Sequence, residues 1–177
     1  MELKEETMDQ KEILPDLLSN NLWVVFCGTA IGKISAQKGS YYSDPGNKFW
    51  HVLYKVGLTP IELKSENYKD LLKYGIGLTD LCKDKVIPDK KIRREDCDIE
   101  GFEKKILYYQ PKIVCFNGKK AAKIYLNKKD VDYSFQKEKI GETFLFVAPS
   151  TSGAAARWWC ENLWQALSDF VKKQANS

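Results

Sequence analysis

Apolar residues gather in a few short unbroken runs, and between the runs they recur every three or four positions. Residues 22–27 (LWVVFC) form the first run, the pattern of a strand buried on both faces. Similar runs predict strands at 74–81, 113–116 and 143–148. A helix is expected from Asn47, with Phe49, Trp50, Leu53 and Val56 on one face and a stop at Gly57. Residues 58–73 read as a turn and a short helix. A further helix is expected from Asp98 to just before Pro111, turning Phe102, Ile106 and Leu107 to the core. Another follows Asn117-Gly118-Lys119 to about Leu126, and a last one runs from Trp158 to Lys172 with Trp158, Trp159 and Trp164 in the core. Residues 28–46 read as one long loop, and 127–142 as a polar, hairpin-like excursion. Residues 1–12 read as a polar tail, and 13–177 as a single domain that opens with an amphipathic segment at 13–21.

Strands that alternate with helices imply an α/β fold with a mostly parallel four-stranded sheet and helices on both faces. In such a sheet the strand exits lie along one edge. Gly28-Thr29, Thr79-Asp80, Asn117-Gly118 and Pro149-Ser150 are therefore expected to converge.

Composition narrows the chemistry. The 177 residues are 44% hydrophobic with a net charge of +4, which suits a globular chain and permits a polyanionic partner. The five cysteines include no CxxC pair, and the single histidine, His51, sits inside a predicted helix, so a zinc or iron–sulfur site is not expected. Cys27 and Cys115 lie inside apolar runs, as reduced thiols of an intracellular protein would. The charged N-terminus has no apolar signal core, and no run approaches the ~20 residues of a membrane span. The glycine-rich loop lacks the spacing of a nucleotide-binding GxGxxG or GxxxxGK[ST] loop.

Two stretches, GTAIGKISAQKGSYYSDPGNKFWHVLYKVGLTP at 28–60 and VAPSTSGAAAR at 147–157, resemble the mismatch-specific uracil/thymine DNA glycosylase branch of the uracil-DNA glycosylase superfamily. LPDLL before the first strand and FNGK after the third fit the same pattern. GIGLTD resembles a subgroup that combines GTA in the first motif with an aspartate at position 80. The resemblance implies a three-layer α/β/α fold and a monomer acting on duplex DNA that holds a damaged or mismatched base. It implies flipping of that nucleotide, hydrolysis of its N-glycosidic bond, and no metal or diffusible cofactor. One departure stands out. Many members carry an asparagine where this chain has Ala30, and that asparagine helps hold the attacking water.

By resemblance, Asp80 takes the catalytic place left open at Ala30; its other reading is a residue capping the turn after its strand. Tyr42 matches the aromatic that stacks on the extruded base, with Tyr41 as the neighbouring alternative, and packing at the loop edge as the plainer role. Asn47 either reads the base edge or caps the helix that starts there. Gly28, Thr29, Ala30 and Gly32 would bring the first loop to the base. Ser35 could meet a phosphate, as could Lys33 and Lys119, beside Lys120. Ser150, Ser152, Gly153, Ala154 and Arg157 belong to the motif expected to face DNA, where Gly153 and Ala154 make a blunt wedge. The basic run from Lys83 to Arg94 reads either as a DNA contact or as a solvated loop.

Overall fold

The computed structural model describes residues 12–177. Five strands, β1 (Val24–Ala30), β2 (Ile76–Cys82), β3 (Ile113–Asn117), β4 (Ser134–Ile140) and β5 (Thr143–Ala148), form one sheet in the order β2-β1-β3-β5-β4. All neighbours are parallel except β4, which runs antiparallel to β5. The helices are α1 (Lys33–Lys38), α2 (Phe49–Lys55), α3 (Ile99–Tyr109), α4 (Lys119–Leu126) and α5 (Glu161–Ala175).

Side-chain alternation explains the three layers. Val24 and Phe26 point into a core shared with Phe49, Leu53, Trp164 and Leu167 of α2 and α5. Val25 and Cys27 point the other way, into a core with Phe102, Ile106, Ala121 and Ala122 of α3 and α4. A strand covered on both faces has no solvent side, so its sequence has no polar alternation. Burying each large side chain contributes roughly 1.5–3 kcal/mol. The α3 helix starts where the Asp98 side chain accepts from Gly101 N–H (2.9 Å) and ends at Gln110, in the left-handed region before Pro111.

Several expectations need correction. The sheet has five strands, not four: the excursion at 127–142 contains β4, an edge strand whose half-buried and exposed positions alternate in a largely polar sequence. Residues 28–46 are not loop throughout, because β1 continues to Ala30 and α1 follows Gly32 until Gly39 stops it with a φ of 68°. The sequence KISAQK carries no apolar stripe to announce a helix. The α2 helix begins at Phe49 rather than Asn47, and β2 at Ile76 rather than Tyr74, because a 3₁₀ stretch (Ser65–Tyr74) precedes it. The last helix begins at Glu161; Gly153–Trp158 is a separate 3₁₀ turn. Trp158 is 55% exposed and Leu107 51% exposed, so neither is core. Trp159 and Trp164 do stack, with ring centroids 6.1 Å apart.

Of the expected tail, residues 1–11 lie outside the described residues, and Glu12 pairs with Lys105 (3.4 Å). The following segment runs along the free edge of β2, where Leu17 bridges Leu78 in antiparallel fashion and Ile13 N–H donates to Lys83 O (3.1 Å).

At the exit of β3, Gly118 adopts a φ of 105°, and a β-carbon there would stand 3.1 Å from the β-carbon of Ser150. Gly118→Ala is expected to destabilise the fold by ~1–3 kcal/mol through backbone strain and this contact. Urea unfolding measures it as a lower midpoint at unchanged slope.

Candidate active site

The four strand exits meet, as parallel pairing requires, around a cavity of about 570 Å³. Gly28 and Asp80 are register partners across β1 and β2, so the carboxylate lies directly over the glycine. A β-carbon on Gly28 would stand 2.6 Å from Asp80 Oδ1, a distance that only a glycine tolerates.

Asp80 is 6% exposed. Burial pushes its carboxyl up to about 7, against Lys83 and the Gly28 N–H, which pull it down; Asp16 and Asp89 push it further up. A carboxylate poised near neutrality is suited to taking a proton at pH 7. Behind it lies a buried ion network. Asp16 accepts from Lys83 Nζ (2.9 Å), Lys105 Nζ (2.6 Å) and Thr79 Oγ1 (2.7 Å). Burial works to raise the Asp16 carboxyl, but Lys83, Lys105 and Thr79 together bring it below the usual range. Lys83 also donates to Leu14 O (2.7 Å) and Tyr41 Oη (3.0 Å). The first residue of the basic run is therefore held inside, not solvated.

Tyr42 lines the cavity and packs one ring face on Phe49, centroids 4.0 Å apart and planes at 27°. Its backbone φ is 53°, in the left-handed region. Burial, then the charge of Asp80, push its phenol well above the usual value, while Asn117 works in the other direction. Tyr41 also lines the cavity, but its ring is buried and its hydroxyl donates to Pro15 O (2.9 Å). Asn47 also lines the cavity, and its Oδ1 accepts from Phe49 N–H (3.0 Å), which caps the first turn of α2.

Gly28, Thr29, Ala30, Gly32, Lys33 and Ser35 all line the same cavity. Ser35 is buried, and its Oγ accepts from Ser43 N–H (3.0 Å), so its hydroxyl shapes the loop. Ser150 and Ser152 form the opposite rim. Lys119, Gly153, Ala154 and Arg157 are not among the lining residues. Lys119 lies over the Tyr133 ring (4.4 Å) and the Arg157 guanidinium over that of Trp158 (4.4 Å). Gly153 and Ala154 are exposed on the 3₁₀ turn, with Gly153 against the backbone of Gly46.

The sequence reading names Asn117 only as part of a converging strand exit and gives Asp89 no role of its own. Asn117 ties two strand exits together, since its Nδ2 donates to Thr151 Oγ1 (2.9 Å) and its Oδ1 accepts from Thr151 N–H (3.0 Å). Asp89 reaches the cavity from the segment after β2 and accepts from Thr29 Oγ1 (2.7 Å). Its signal was the apolar-proline stretch VIP that precedes it, which breaks an otherwise charged run and lays Val86, Ile87 and Pro88 along the cavity wall.

A model of the uracil DNA glycosylase superfamily matches residues 15–171. Among solved structures, the chain resembles the solution structure of a candidate uracil DNA glycosylase from Methanosarcina acetivorans, with a TM-score of 0.64 and 26% sequence identity over 90% of this chain and 96% of that one.

Proposed function

The chain belongs to the uracil DNA glycosylase superfamily, and on that premise we propose that it excises uracil from DNA, chiefly from G·U mismatches, as a monofunctional monomeric enzyme. The flipped nucleotide enters the cavity, water cleaves its N-glycosidic bond, and an abasic site remains. The observation that carries the reading is the buried Asp80 carboxylate over Gly28, at the point where the strand exits converge.

Cleavage builds positive charge on the sugar and negative charge on the leaving base. An ionised Asp80 faces the first and can take a proton from the attacking water. One such charge pair at ~4 Å and an effective dielectric near 20 is worth at most about 4 kcal/mol. The remaining ring face of Tyr42 supplies a stacking surface, worth ~1–3 kcal/mol for any base. Backbone N–H groups of the Thr29–Gly32 stretch, beyond the Gly28 N–H that Asp80 engages, serve the developing negative charge on the base oxygens. The five free cysteines accord with work inside the cell.

The test is alkaline strand cleavage after incubation with labelled duplexes that carry G·U, A·U, G·T or hypoxanthine, and with single-stranded uracil DNA. Release from G·U ahead of the others is expected. Lesion binding without release from any substrate would instead make this a silent binding member, with Ala30 as the lost function.

A further inference from the structure

We infer that the Tyr42 hydroxyl is the second holder of the hydrolytic water, which it shares with the Asp80 carboxylate over the bare α-carbon of Gly28. The inference rests on the glycosylase reading above and deepens it: Ala30 has no hydrogen-bonding side chain, and Tyr42 supplies what is missing there.

Three observations meet at one point. First, Tyr42 Oη is buried and has no hydrogen-bond partner among the described residues. A buried hydroxyl left unpaired costs on the order of 1–3 kcal/mol, and such groups are rare outside functional sites. Its neighbour Asn117 commits its Oδ1 and one of its two Nδ2 protons to Thr151, and its remaining proton bears on the phenol without closing a hydrogen bond. Tyr41 makes the contrast, with a hydroxyl satisfied by Pro15 O and Lys83 Nζ. Second, the point where a β-carbon of Gly28 would stand lies 3.8 Å from Tyr42 Oη and 2.6 Å from Asp80 Oδ1. The two oxygens therefore flank the same small space, which glycine keeps open. Third, Gly28, Tyr42 and Asp80 all line the cavity that a sugar would enter from the mouth.

A water held there donates one O–H to Asp80 and the other to Tyr42 Oη, which leaves a lone pair for C1′ of the sugar. As that pair forms the C1′–O bond, the C1′–N bond breaks and its electrons leave with the base. The water's proton passes to Asp80, and the base departs as its anion, to be protonated by solvent. Tyr42 exchanges no proton; it fixes the water's orientation, so its contribution lies in positioning.

The experiment is Tyr42→Phe, which keeps the ring and its packing on Phe49 and removes only the oxygen. The single-turnover rate on a G·U duplex is expected to fall by ~10–100-fold. Affinity for a duplex with non-hydrolysable 2′-fluorinated deoxyuridine should stay within about twofold. Tyr42→Phe/Asp80→Asn should be no slower than Asp80→Asn alone, because both changes release the same water. A Tyr42→Phe enzyme with the wild-type rate overturns the inference and leaves the glycosylase reading standing. A loss confined to duplex affinity also overturns it, since the hydroxyl would then serve binding. A wild-type protein that releases no base removes both readings together.

Discussion

Asp80→Asn is expected to slow base release by about 10³-fold, within the range for loss of a general base, while lesion binding persists. The same substitution should make the protein more stable, and the sign follows from the carboxyl's environment. Its folded-state value is about 7, well above that of an unfolded aspartate, ~3.9. Its stabilising share is therefore present in full below about pH 4 and lost as the pH rises through about 7. At pH 8 the ionised carboxylate costs the fold on the order of 4 kcal/mol. Asparagine cannot ionise, so thermal unfolding should show a clear rise in Tm at pH 8 and almost none at pH 4. Wild-type activity should climb over the same interval, as Asp80 loses its proton and becomes able to accept one from water. A pH–rate profile that is flat between 6 and 8 would remove Asp80 from the chemistry. The groups that set this balance are Lys83, Asp16, Asp89 and the Gly28 N–H, and no histidine takes part.

Trp164→Ala is expected to produce the largest loss of stability, ~3–5 kcal/mol, measured by urea unfolding. The side chain is fully buried. It stacks on Phe26 (5.5 Å, 20°) and Trp159 (6.1 Å, 29°) and meets the edge of Phe49 (6.4 Å). Through Phe49 it supports the Tyr42 ring. It also donates its indole N–H to Pro149 O (3.0 Å), at the base of the segment expected to face DNA. Trp164→Phe separates the two contributions, since it keeps most of the packing and drops the hydrogen bond. Its cost should be nearer 1–2 kcal/mol.

What could be read from the sequence depended on how local each signal was. The runs at β1, β3 and β5 announced themselves because two-sided burial leaves no polar alternation in them. Convergence of the strand exits followed from parallel topology, and the cavity lies there. Asp80 was singled out by the resemblance and by the vacancy at Ala30, near the end of a strand expected beside β1. Its neutral-range carboxyl was not legible, because that depends first on burial and then on nearby Lys83 set against Asp16, which is distant in the chain. The α1 helix and β4 were missed for lack of periodic apolar residues. Asp89 was hidden in a stretch whose charge count suggested solvent. Trp158 was placed in the core by its residue type alone, although the 3₁₀ turn before α5 swings it outward.

The contact between Gly153 and Gly46 has a kinetic meaning. A β-carbon on Gly153 would stand 3.2 Å from Gly46 O, and nearby Lys48 N–H donates to Thr151 O (2.9 Å). The 150–157 segment and the segment carrying Tyr42 and Asn47 thus bear on each other backbone to backbone. Binding energy gained along the DNA, away from the scissile bond, can then be spent on holding the reacting groups in line. On the proposed reading, a free deoxyuridine nucleoside would meet Ser150, Thr151 and Ser152 at the rim but not residues 153–157, and would draw on little of that energy. If the proposed excision holds, shortening the substrate is expected to lower the turnover rate itself as well as the affinity, so that the length of DNA gripped becomes part of the catalyst.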